Sequence, residues 1–214
     1  MRQRSNKLLY AYWDELRAGR IAPRRFEIEP SRIAELLPET FILERVNRTE
    51  FRFRLAGTRV CDWFGREFRG TNFLDYWNDE DRSRLESDVI SVAKTGAVLV
   101  ADVEAAYPDD ERATFELLLL PLLHTGARID RFMGVVANHS AIDHSVLGAT
   151  AQLSVLQTHL HVPPRGEVSS INDCVEGPRD AVFHPHLRNA RIVRQDRRSF
   201  RVYDGGLSGQ PKDT

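Results

Sequence analysis

Between residues 98 and 138 the chain carries three strand-like runs in close succession, Val98 to Tyr107, Thr114 to Leu123 and Arg131 to Asn138. The polar turns Pro108-Asp109-Asp110 and Thr125-Gly126-Ala127 separate them. In the first run Leu99, Ala101, Val103, Ala105 and Tyr107 alternate with Asp102 and Glu104, which puts an apolar face on one side of a strand. Such a set of consecutive strands demands an antiparallel sheet and something apolar to cover its face.

The cover is written upstream. Asn78 has the character of a helix cap, because Asp79, Glu80 and Asp81 fill the following first turn, where the helix dipole favours anions. Leu85, Val89, Val92 and Ala93 form the buried stripe of that helix, and Lys94 and Gly96 close it. Before it, Gly57 to Trp77 is aromatic and irregular, with Trp63, Phe64, Phe68, Phe73, Tyr76 and Trp77 interrupted by Gly65 and Gly70, a pattern of short helical turns. Two further strands, Thr40 to Val46 and Phe51 to Leu55, flank the hairpin loop Asn47-Arg48-Thr49-Glu50.

At the start, Leu8, Leu9, Tyr12, Trp13 and Leu16 recur at helical spacing, with Gly19 just past the end. A second short helix is predicted from Ser31 through Ile33, Leu36 and Leu37 to Pro38. The predicted fold class is α+β: a five-stranded antiparallel sheet with helices on one face, an N-terminal helix and a C-terminal extension. The predicted segments are a helical 1–38, a domain at 39–140, a helix and linker at 141–182 and a basic extension at 183–214.

Hydrophobic residues make up 42% of the chain, enough for a packed core. The 30 basic and 31 acidic side chains nearly cancel, so overall charge favours neither a nucleic-acid nor a membrane partner. The balance is uneven, however. Residues 184–203 hold Arg188, Arg191, Arg194, Arg197, Arg198 and Arg201 against Asp196 alone, a patch suited to phosphates or an acidic protein surface. Cys61 and Cys174 are too few and too far apart for a thiolate cluster, and no long uncharged apolar stretch follows the basic N-terminus. A cytoplasmic setting without a membrane anchor is therefore expected.

The order of elements, together with Trp13-Asp14-Glu15-Leu16-Arg17-Ala18-Gly19-Arg20, Pro23-Arg24-Arg25, Phe53-Arg54-Leu55-Ala56-Gly57-Thr58 and Phe64-Gly65-Arg66-Glu67, resembles a family of small bacterial proteins built of little more than one PAS domain. The resemblance implies a non-catalytic sensory or regulatory module of bacterial signal transduction, and because the sequence shows no kinase, cyclase or DNA-binding output motif, it is expected to act through contacts with signalling proteins such as sensor kinases. The resemblance also implies a ligand pocket between sheet and short helices, here lined by Trp63, Phe64, Phe73, Tyr76 and Trp77, although read from the residues alone these aromatics more simply fill the core. No resident cofactor is expected. Where the flavin-binding type has Gly-x-Asn-Cys, this chain reads Gly70-Thr71-Asn72-Phe73, and phenylalanine forms no adduct; the long helix offers no histidine to a haem. A small organic metabolite bound by the aromatic pocket is the alternative function. The apolar stripe of Leu8, Leu9, Tyr12, Trp13 and Leu16 packs on its own sheet or forms a homodimer, the favoured arrangement.

His159 and His161, and His184 and His186, form two His-x-His pairs without a third ligand at motif spacing, so no metal site is predicted. His139, Asp143 and His144 lack a nucleophile to serve. No phosphate loop, nucleophile elbow or zinc-protease helix occurs, and no enzyme is expected. Arg197-Arg198 with Arg201 fits the PilZ motif poorly, since Asp204-Gly205-Gly206-Leu207-Ser208-Gly209 does not match its second part. Nucleic-acid binding through the two basic ends is the least favoured alternative.

Overall fold

The alternating runs form strands, and their period decides what lies on each side of the sheet. The computed structural model describes residues 1–108, 111–139 and 151–166. Helix α1 (Arg4–Arg17) is followed by 3-10 segments at Arg25–Glu27 and Pro30–Glu39, then β1 (Thr40–Arg45), β2 (Phe51–Ala56) and α2 (Thr58–Phe64). A 3-10 turn at Phe73–Tyr76, α3 (Asp79–Thr95), β3 (Val98–Ala106), β4 (Arg112–Leu123), β5 (Ile129–Asn138) and β6 (Gln152–His161) complete the described order. The strands pair antiparallel in the order β2-β1-β5-β4-β3-β6.

On the inner face Phe41, Phe53, Val103, Phe115, Leu117 and Val136 meet the short helices, and rings of α2 pack directly on the sheet, Phe64 at 5.0 Å and Trp63 at 5.4 Å from Phe115. Helix α3 closes this side with Leu85, Val89 and Val92 fully buried. Its N-terminus is held as its sequence requires: the Asn78 side chain accepts from the Asp81 amide at 2.9 Å. Its C-terminus ends at Gly96, with φ 72°.

Next to each inward residue lies an outward one, so Asp102, Glu116, Leu118 and Leu120 face the other way, opposite Val135 and Met133 of β5. Helix α1 covers this second face, burying Leu9 and Trp13 completely, and Trp13 Nε1 donates to the Pro121 carbonyl at 2.8 Å. The sheet is thus covered on both sides. Strand β4 is accordingly buried nearly throughout, as its unbroken apolar run from Leu117 to Leu123 requires.

Two features correct the sequence expectation. The sheet has a sixth strand, Gln152–His161, within the segment expected to be helix and linker; it pairs along the whole of β3, from Val98↔His161 to Ala106↔Gln152. Its signal is broken because the register shifts between Asp102 and Val103, making Leu156 an extra residue and reversing the alternation halfway along. Helix α1 begins at Arg4, a full turn before its apolar stripe. The predicted strand pair at 187–194 and 199–203, like the rest of the 183–214 extension, lies outside the described residues.

Two glycines mark where backbone and side chain come too close for a Cβ. A Cβ on Gly57 would stand 2.2 Å from the Pro38 carbonyl, and one on Gly134 would stand 2.1 Å from Phe41 Cζ. Gly134 and Phe41 are direct partners across β5 and β1, so the ring lies flat over bare backbone. Gly134→Ala is expected to cost about 1–3 kcal/mol through overpacking, lowering the melting temperature by several degrees. Adding Phe41→Leu should return part of that loss; a double variant no more stable than Gly134→Ala would refute this account.

Candidate functional site

The inner face and the short helices enclose an aromatic chamber. Its rings interlock edge to face and tilted: Phe53 to Phe68 at 5.0 Å, Phe68 to Tyr76 at 5.0 Å, Phe64 to Phe115 at 5.0 Å and Phe73 to Trp77 at 5.7 Å. Each polar handle is satisfied at the periphery. Tyr76 Oη donates to Thr71 Oγ1 at 2.7 Å, and Trp77 Nε1 to the Phe73 carbonyl at 2.8 Å. The free space left is about 30 Å³ with an entirely apolar wall, a volume on the scale of a water molecule.

Of the residues expected to line a pocket, Phe64, Phe73, Tyr76 and Trp77 do so. Trp63 does not; it lies beside Phe115, and its carbonyl accepts from Tyr107 Oη at 2.6 Å. Burial pushes the Tyr107 phenol up to about 12. Phe41, Phe53 and Phe115, which the expectation omitted, enter from the strands. Alternation in β2 and at the start of β4 signals Phe53 and Phe115, whereas Phe41 lies in the consecutive apolar run Phe41-Ile42-Leu43 and has no such signal. Phe73 is buried, while Asn72 of the Gly70-Thr71-Asn72-Phe73 run accepts from the Phe51 amide at 2.9 Å and so ties the turn to β2.

A second cluster sits on the outer face. Asp102 and Glu116 are direct cross-strand partners, and with His139 they bring ligand-type atoms within 4.8 Å of one another. These groups are engaged by the N-terminal segment. Glu116, 1% exposed, accepts from the Arg2 amide at 2.8 Å, the Gln3 amide at 3.2 Å and Asn6 Nδ2 at 2.8 Å. Asp102 pairs with the Arg2 guanidinium at 2.5 Å and accepts from Gln157, and Gln3 Nε2 lies 2.5 Å from His139 Nδ1. The arrangement binds α1 to the sheet. Burial pushes the Asp102 carboxyl up, but the hydrogen bonds from Gln157 and Arg2 and the Arg2 charge outweigh it, holding it below the usual carboxylate range.

The remaining predicted residues are dispersed. Leu9, Tyr12 and Trp13 are buried and Leu16 is partly buried in the core, while Leu8 is 44% exposed. His159 and His161 are exposed on β6, opposite Val100 and Val98. His144, His184, His186, Asp143 and the arginines from Arg188 to Arg201 lie outside the described residues. No helix among the described residues is long and apolar enough to cross a membrane.

Two outcomes follow from this geometry. Phe73→Ala is expected to cost about 3–5 kcal/mol and to open a dry cavity, so benzene should raise the melting temperature of the variant and leave that of the parent unchanged. A parent protein equally stabilised by benzene would contradict a filled chamber. With its carboxyl lowered by folding, Asp102 adds stability that is fully present above the ordinary carboxylate range and is lost as pH falls through the lower folded value. Melting curves from neutral pH downward should therefore show Asp102→Asn less stable near pH 7, with the gap closing in acid; a gap independent of pH would be inconsistent with the shift.

A family model described as PAS domain matches residues 1–137. Among solved structures, the LOV protein of Rhodobacter sphaeroides aligns with 55% of this chain and 72% of its own at 16% identity, with a TM-score of 0.39. The PAS domain of a protein from Colwellia psychrerythraea aligns with 50% of this chain and 94% of its own at 11% identity, again with a TM-score of 0.39. No curated protein matches the chain. With the matched region running from α1 through nearly all of β5 and covering more than half of the sequence, the chain belongs to the PAS-domain family, whose members are sensory signalling modules.

Proposed function

We propose that this PAS protein is a non-catalytic regulatory module that works in the bacterial cytoplasm by contacting signalling proteins such as sensor kinases, without a resident cofactor. The observation that carries this reading is the filled chamber. A space of about 30 Å³ walled by carbon leaves no room for a metabolite, whose pockets run to roughly 300–1,000 Å³. Information then has to enter and leave through the surface. The docked state of α1 supports the same reading, since Leu9, Tyr12 and Trp13 are spent on the protein's own sheet and do not present a free stripe to a second copy.

The metabolite-receptor alternative requires the aromatic cluster to open. A thermal-shift screen against metabolites and native mass spectrometry of the purified full chain separate the two, because a ligand bound only by the folded state must raise its stability. The expected result is an unliganded mass, no stabilising metabolite, and photo-crosslinks inside the cell to a signalling protein. A metabolite that stabilises the chain by several degrees would overturn the reading, as would an absence of any crosslinked signalling protein.

A further inference from the structure

Between α1 and β1 the chain makes a short, tightly held turn whose side chains point outward. The Arg24 amide donates to Glu27 at 2.5 Å, and Arg20 pairs with the same carboxylate at 3.0 Å. The Leu123 amide donates to the Pro23 carbonyl at 3.0 Å, and Arg24 forms a parallel bridge with Leu123, which fastens the turn to the end of β4. This anchored turn presents Phe26 at 73% exposure, the highest value among the large hydrophobic residues described. The Arg24 guanidinium stands 5.9 Å from the centre of that ring.

Beside the turn runs a groove of about 400 Å³ between the Pro30–Glu39 segment and the outer face of β1, β2 and β5. Its floor includes Ile28, Ile33, Ile42 and Met133, and the half-exposed Leu37 and Leu55 stand in its walls. Arg25 lines its end. The nearby arginines differ in one respect. Arg20, Arg32, Arg54 and Arg59 are each paired with a glutamate, whereas Arg24 and Arg25 have no ion-pair partner among the described residues.

A rigid exposed aromatic with the Arg24 guanidinium over its ring, the Arg25 guanidinium beside it and an adjoining apolar trough are the ingredients of an energetic centre in a protein interface, where aromatic residues and arginine dominate. The aliphatic floor suits apolar side chains, and the two rim guanidinium groups attract carboxylates beside them. We infer that this groove, with Arg24, Arg25 and Phe26 at its rim, is the docking surface for an acidic amphipathic segment of a partner protein. The inference rests on the partner-contact reading above and adds the site and the chemistry of the contact. A nucleic acid fits less well, since two arginines beside an aliphatic trough offer few phosphate contacts and one stacking ring.

The test uses short fluorescent helical peptides that share one amphipathic apolar pattern and carry Glu, Gln or Lys on the flanks. Binding to the full chain at low salt should follow the order Glu, Gln, Lys, with at least about a tenfold span. Phe26→Ala, and separately the charge reversal Arg24→Glu with Arg25→Glu, should each weaken the Glu peptide by at least about tenfold. The melting temperature of Phe26→Ala should hold, because Phe26 is solvent-exposed. Equal binding of all three peptides, no binding, or a Glu peptide indifferent to both variants would overturn the inference. So would a single-stranded oligonucleotide bound more tightly than the Glu peptide and lost in the same variants, or a homodimer dissolved by Phe26→Ala. A cellular crosslink to a signalling protein that survives both variants would refute this surface while leaving the partner-contact reading intact; absence of the crosslink in the parent protein refutes the reading itself.

Discussion

Glu116 is a carboxylate in the middle of a β-strand, 1% exposed and directly opposite Asp102 on the same face of the sheet. Burying one charge is expensive, and setting a like charge across the ladder adds to the cost. What makes the arrangement stable is the start of the chain. The amides of Arg2 and Gln3 and the side chain of Asn6 converge on Glu116, and the Arg2 guanidinium lies between the two carboxylates. The same contacts give α1 the cap its own sequence lacks, since Gln3 makes no side-chain capping bond. Sheet and helix each satisfy a deficit in the other. Removing either partner strands charge or helix amides over the apolar residues of β4.

That anchor governs geometry far from itself. Once the helix start is fixed at Glu116, the Trp13 bond to the Pro121 carbonyl sets the direction of α1 along β4. The chain leaving the helix then reaches the end of the same strand, where Pro23 and Arg24 meet Leu123. Helix α1 and the turn that follows it are therefore held at three places on one strand, Glu116, Pro121 and Leu123.

The sequence was most legible where the determinants are local. The cap and first-turn acids of α3 are read within four residues, and β3 to β5 are each one uninterrupted pattern. It was least legible where the determinant lies far along the chain. The first turn of α1, Arg4 to Lys7, is polar and takes its anchor from a glutamate more than a hundred residues away. Strand β6 hides its period behind a bulge at Leu156, and its side chains are mostly exposed, so apolar content does not announce it. The aromatic segment was readable as core, but not which ring would turn from the chamber: Trp63 and Phe64 are sequence neighbours, and only Phe64 lines the space.

The filled interior also bears on what kind of sensor such a chain makes. To admit a metabolite, rings such as Phe73 and Trp77 must leave a packed cluster in which Trp77 is also hydrogen-bonded. Vacating a large buried side chain costs about 3 kcal/mol or more on the scale of core truncations. A conformational penalty of that size lowers apparent affinity by about a hundredfold, so a ligand of intrinsic micromolar affinity would bind in the range of tenths of a millimolar. Surface contacts carry no such penalty, because the Phe26 turn is already ordered by Glu27, Arg20 and the end of β4. At equal contact energy the preorganised exterior binds more tightly than the closed interior, which is the physical ground of the proposed partner contact.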